Sequence, residues 1–131
     1  MSSLAKLMFI CSLLLTSWAG GVWCRTHVVI QNGLPDKASI EAHCKSGNDD
    51  LGYHQITSDW EFSFRPNFWG TTLYFCSFQW PNSRHIYQFD IYVQKRDAKI
   101  CEVCVWRITP NGPCRPDKNT GDFTDCYSWK P

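Results

Sequence analysis

The sequence predicts a small, disulfide-braced antiparallel β-sandwich of about seven or eight strands. Three observations lead there: apolar residues recur with period two, turn-forming residues break these runs at short intervals, and six cysteines follow an N-terminal export signal. Between the turns no window of useful length carries helical periodicity. At 131 residues the chain is long enough for one compact domain, and with 15% aromatic and only 19% charged residues it is not a disordered one.

The first segment stands apart from that domain. Lys6 precedes an apolar run from Leu7 to Leu15, and small or apolar residues follow, which is the order of a secretory signal. The run is far shorter than the about 20 residues that span a bilayer. Cleavage sites fit after Ala19, Gly21 or Cys24. The last is preferred, because strand-like sequence begins directly after it. Residues 1–24 are therefore read as the signal and 25–131 as a single domain.

Removing that signal leaves Cys44, Cys76, Cys101, Cys104, Cys114 and Cys126, an even set that an oxidising compartment keeps as disulfides. Twelve basic residues then face twelve acidic ones, which leaves no overall electrostatic footprint for nucleic acid or an anionic membrane. No second apolar stretch is long enough to span a bilayer, so membrane insertion is not expected and the mature protein is expected to be soluble and monomeric. No Asn-X-Ser/Thr acceptor occurs, so N-glycosylation is not expected.

Each strand is justified by its own pattern. Val28 and Ile30 open the domain. Ala38, Ile40, Ala42 and Cys44 alternate with Ser39, Glu41, His43 and Lys45, and Trp60, Phe62 and Phe64 alternate with Glu61, Ser63 and Arg65. Thr71 to Trp80 is apolar on both faces and belongs in the middle of a sheet. His85 to Val93 places Tyr87, Phe89, Ile91 and Val93 on one face, with Gln88, Asp90 and Tyr92 mainly on the other. Glu102 to Thr109 and Phe123 to Trp129 supply the late strands. Asn32-Gly33, Pro35-Asp36, Gly47 to Asp50, Pro66-Asn67, Pro81-Asn82 and Pro110 to Pro113 provide the corners. Strand phase turns Cys76 and Cys104 toward the core, so an inter-sheet Cys76–Cys104 bridge is the expected pairing among the 15 or so that six cysteines allow.

No reactive centre is evident. Cys101-X-X-Cys104 would suggest redox work ahead of a helix, but Trp106 and Ile108 continue a strand instead. A four-cysteine zinc site with Cys114 and Cys126 is disfavoured by export. His27, His43, His54 and His85 are too scattered for a metal motif, and Asp49, Asp50 and Asp59 do not match a calcium loop. Glu41, Glu61 and Glu102 face away from the apolar set, and no Gly-X-Ser-X-Gly or Cys/His nucleophile appears. No catalytic residue, metal or cofactor is therefore expected. Phe68, Trp69 and Tyr92 are the rings that could stack on a sugar.

The order of these blocks resembles the plant self-incompatibility protein family, the S-protein homologues. The resemblance is carried by Val28 to Asn32, His43 to Ser46 with Asp49 to Gly52, Trp60 to Phe64, Phe68 to Trp80, Phe89 to Tyr92, Cys101 to Trp106, Asn111 to Cys114 and Cys126 to Trp129. It covers essentially the whole mature chain and implies a small secreted β-sandwich that acts as a ligand, as in recognition of a stigma protein by a pollen partner. Cys101 and Cys114 exceed the family's commonest four-cysteine pattern and imply a third crosslink.

The expected role is a non-enzymatic extracellular ligand whose loops are recognised by a cell-surface receptor. The most charged loop, with Gln94, Lys95, Arg96, Asp97 and Lys99, is the first candidate, and Gly47 to Asp50 and Pro81 to Arg84 follow. As a solvated loop, its Lys95, Arg96 and Asp97 are expected to tolerate alanine without loss of stability. The alternative role is a secreted defence protein that binds or hydrolyses a cell-wall glycan.

Overall fold

The alternation that the sequence shows is resolved, in a computed structural model describing residues 24–131, into two facing sheets; the expected export signal lies outside the described residues apart from Cys24. Nine strands are described: β1 (Thr26–Asn32), β2 (Ile40–Lys45), β3 (Asp50–Ile56), β4 (Asp59–Phe64), β5 (Leu73–Gln79), β6 (Tyr87–Val93), β7 (Val103–Thr109), β8 (Gly112–Arg115) and β9 (Asp125–Cys126). One short helix, α1 (Gln94–Asp97), follows β6. The first sheet has the order β4-β1-β7-β8-β9 and the second β3-β2-β5-β6. All neighbours are antiparallel except β1 and β7, which run parallel with His27 opposite Val103.

Period-two alternation fills the space between the sheets, as expected of two half-buried faces. Val28 and Ile30 from β1, Ile40 and Ala42 from β2, Phe78 from β5 and Ile108 from β7 are completely buried. Trp106 is the largest fully buried side chain. A cluster of rings, Phe62, Phe64, Tyr74 and Tyr92, packs toward the end where β4 stops and β5 begins.

The β6 phase differs from the simple alternation. Tyr74 pairs with Tyr92 but Cys76 pairs with Phe89, so two residues of β6 oppose one of β5, a bulge. The extra residue rephases the strand. Tyr92, expected mainly on the outer face, is fully buried, and that burial raises its hydroxyl pKa. It is thereby removed from the rings that could meet a sugar.

Among the described residues, three disulfides correct the expected Cys76–Cys104 bridge. Cys44 and Cys76 are direct register partners on β2 and β5, and Cys114 and Cys126 are partners on β8 and β9; each pair is bonded, with Cα atoms 4.0 Å apart. Both Cys76 and Cys104 do face the core, but each has a nearer partner: Cys76 its neighbour in the same sheet, Cys104 the half-buried Cys101 three residues earlier. Cys101 and Cys114 thus each join a different cysteine of the four-cysteine set, and none of these three bridges links the two sheets.

Instead, the two sheets are joined along one side by the C-terminal segment. The Tyr127 N–H donates to the Pro113 carbonyl on β8, and the Lys130 N–H donates to the Gln88 carbonyl on β6. Trp129 packs on Phe78 and Tyr87, and its indole N–H donates to the Pro110 carbonyl. The expected last strand, Phe123 to Trp129, is therefore paired as a strand only at Asp125–Cys126. The remainder leaves the first sheet to cover β6, the edge of the second.

Gly112 makes room for this crossing. Its φ is +143°, and a Cβ there would collide with the Tyr127 carbonyl oxygen. Gly112→Ala should cost about 1–3 kcal/mol from backbone strain alone, measured as a shift in denaturation midpoint. Gly47→Ala is the control, since its Cβ would meet nothing within 4 Å.

Candidate recognition surface

Chain connectivity gathers several loops at one end of the sandwich. The 65–72 loop leaves β4 beside the start of β1 and enters β5, and residues 94–102 run from β6 back to the start of β7. The 46–49 turn, between β2 and β3, lies at the same end, because Lys45 pairs with both Phe75 and Asp50. Two of the three candidate loops therefore share a surface. The third, Pro81 to Arg84, connects β5 to β6 at the opposite end.

Gln94 ties the 94–102 segment to the 65–72 loop. Its side-chain oxygen accepts from the Thr72 N–H at 3.0 Å, its side-chain amide donates to the Asn67 carbonyl, and its own N–H donates to the Thr72 carbonyl. Asn67 in turn organises its loop. Its carboxamide oxygen accepts from the Thr71 N–H, its amide donates to Thr71 Oγ1, and its N–H donates to Thr72 Oγ1. The loop that results holds Phe68 and Trp69 outward, 73% and 79% exposed.

Arg96 and Asp97 do not belong to a solvated loop. Asp97 is 0% exposed, and its carboxylate accepts four hydrogen bonds: from the Val93 N–H, from Arg96 Nε and Nη2, and from Arg115 Nη2, at 2.7–2.8 Å. A buried carboxylate requires such compensation. The two guanidinium groups stack over rings, Arg115 at 4.2 Å from Trp106 and Arg96 at 5.3 Å from both Phe89 and Trp106. The short helix α1 turns Asp97 inward, and the Asp97 carbonyl accepts from the Ile100 and Cys101 N–H groups. Lys95 and Lys99 remain exposed. The expected tolerance of the Lys95, Arg96 and Asp97 triple alanine is therefore replaced by a division of labour, with two lysines outward and an ion cluster inward. Arg115, 18 residues further on, has no sequence signal linking it to this cluster.

In the 46–49 turn, Ser46 Oγ accepts from the Asn48 and Asp49 N–H groups, and the Ser46 N–H donates to the Asp49 carbonyl. The adjoining Asp50 carboxyl has a pKa below the usual aspartate value, first because it accepts from the Gly52 N–H and next because His43 bonds to it at 2.7 Å. Its negative charge thus persists to lower pH than that of an ordinary aspartate.

The concave features are modest. A cleft of about 200 Å³ beside Cys101–Cys104 is lined by Ile100, Val103, Val105, Arg115, Pro116 and Lys118 among others. An open polar depression of about 670 Å³ at the opposite end is lined by Gln31, Lys37, Ser58, Asp59 and Arg107 among others. Among the described residues no three His, Cys, Asp or Glu side chains gather as metal ligands. The four histidines are separately placed: His27 on Glu61, His43 on Asp50, His54 stacked on Trp60, and His85 against Tyr87.

Residues 27–129 match the model of a family described as plant self-incompatibility protein S1. S-protein homolog 5 of Arabidopsis thaliana is 40% identical over 135 residues, covering 99% of this chain and 100% of that protein. S-protein homolog 2 of the same plant is 47% identical over 109 residues, covering 78% of this chain and 66% of its own length. A solved structure of a self-incompatibility protein homologue, described as one of a widespread family of small, highly stable, secreted plant proteins, superposes with a TM-score of 0.57 at 19% identity. It covers 84% of this chain and 98% of the other.

Proposed function

Because this chain belongs to the plant self-incompatibility protein S1 family, we propose that it is a secreted, non-enzymatic signalling ligand, exported by residues 1–24 and recognised as a monomer by a cell-surface receptor protein. Rejection of self pollen at the stigma is the setting from which the family takes its name. The observation that carries the reading is the anchoring of the 94–100 segment: buried Asp97 and the Gln94 hydrogen bonds hold it rigid, while Lys95 and Lys99 project from it. A contact surface that is ordered before binding loses little entropy on binding.

The test is binding to intact plant cells. Lys95→Ala combined with Lys99→Ala should weaken binding about tenfold and leave stability within about 0.5 kcal/mol. Protease treatment of the cells should abolish binding of the unsubstituted protein. Binding that survives the protease, or that ignores the two substitutions, rejects receptor recognition by this segment.

A further inference from the structure

We infer that the Phe68–Trp69 tip is an interfacial anchor that seats this end of the sandwich on an anionic phospholipid bilayer. These are the two most exposed of the large hydrophobic side chains that lie open on the described surface, and they are adjacent in sequence. Their exposure is a held conformation, since Asn67, Thr71, Thr72 and Gln94 bond the base of the loop. The two rings meet edge to face at 87°, with centroids 5.4 Å apart. They form a wedge and share no common plane on which a sugar ring could lie across both. A rigid wedge containing Trp suits the headgroup level of a bilayer, where an amphipathic ring keeps its N–H in water and its body among acyl chains.

Charge selects the kind of bilayer. Within 65–73 and 94–101 the exposed ionisable groups are Arg65, Lys95 and Lys99, all cationic, and the only acid in either stretch, Asp97, is buried against Arg96 and Arg115, whereas the exposed acids of this end, Asp49 and Asp50, belong to the turn after Lys45. Leu73 and Ile100, 39% and 42% exposed, extend the apolar area from the same two segments. Aromatic and aliphatic side chains flanked by lysine and arginine are the composition of a surface that adsorbs to acidic lipid. The near-zero charge of the whole domain hides this segregation.

Protein-free vesicles separate this inference from the receptor reading. The purified secreted protein should co-sediment with phosphatidylcholine–phosphatidylserine vesicles, far less with phosphatidylcholine alone, and less as salt is raised. Phe68→Ser with Trp69→Ser should lower partitioning about tenfold or more, with an unchanged melting temperature, and Lys95→Glu with Lys99→Glu should remove the preference for phosphatidylserine. Trp69→Phe should keep the partitioning but lose most of the fluorescence quenching by brominated acyl chains. Equal sedimentation of the unsubstituted and double-serine proteins overturns the anchor. So does lipid-independent self-association that the double-serine change abolishes, since a second copy would then be the occupant.

Discussion

Asp97→Ala should destabilise the protein by about 3–5 kcal/mol, the usual consequence of deleting one partner of a buried ion cluster. For a domain of this size that is a fall in melting temperature of roughly 15–30 °C. The carboxylate accepts four hydrogen bonds, and without it Arg115, only 5% exposed, and Arg96 would be left side by side over Trp106 with no neutralising group between them. Arg115 has one further carboxylate in reach, Asp125 at 4.0 Å, too distant to substitute. Asp97→Asn should fall between, since the amide oxygen can still accept while the charge is lost. Calorimetry checks the series, and a drop of less than about 5 °C for the alanine variant would mean that water replaces the carboxylate.

The second large effect is expected at Cys44–Cys76. Chain-entropy arguments weight a crosslink by the length of the loop it closes. Sequence separations of 32, 12 and 3 correspond to about 4, 3 and 2 kcal/mol for Cys44–Cys76, Cys114–Cys126 and Cys101–Cys104. Pairwise replacement by alanine should follow that order in denaturation midpoint. The Cys44–Cys76 pair should lose more still, because both sulfurs are buried and their removal leaves a void. An inverted order, with Cys101–Cys104 the most costly, would show that this local clasp works by holding the Asp97 turn.

Legibility in the sequence followed burial. β2, β4 and β7 alternate cleanly because one face of each meets the core, so period two survives in their residues, and β5, apolar on both faces, lies inside its sheet between β2 and β6. β3 was not legible: Asp50–Ile56 is an edge strand in which Ile56 alone is buried, with Gly52 at positive φ, and it has no continuous apolar face to announce it. β8 was hidden for a different reason. Its Gly112 and Pro113 read as a corner, yet they sit beside the C-terminal crossing, where a small residue is demanded. The β6 bulge moved Tyr92 inward by adding a residue that no local pattern marks.

Much the same holds for the recognition surface. The charged stretch from Gln94 to Lys99 and the pair Phe68-Trp69 were visible as compositions. Which charges turn inward was not, because the partner of Asp97 comes from β8 and its ring platform from β7. Disulfide pairing failed on similar grounds. Facing the core is a property of one strand, whereas choosing a partner requires knowing which strands are neighbours.

The parallel union of β1 with β7 dictates an order of events during synthesis. The ribosome releases β1 first, yet its central neighbour lies 76 residues downstream, so half of its hydrogen-bonding edge must wait until most of the polypeptide has emerged. The β3-β2-β5 part of the second sheet and its crosslink can form meanwhile, whereas the first sheet, and the seam sealed by Trp129, wait for these later residues to emerge. The second sheet therefore leads, and the first is closed last around a strand that was made first.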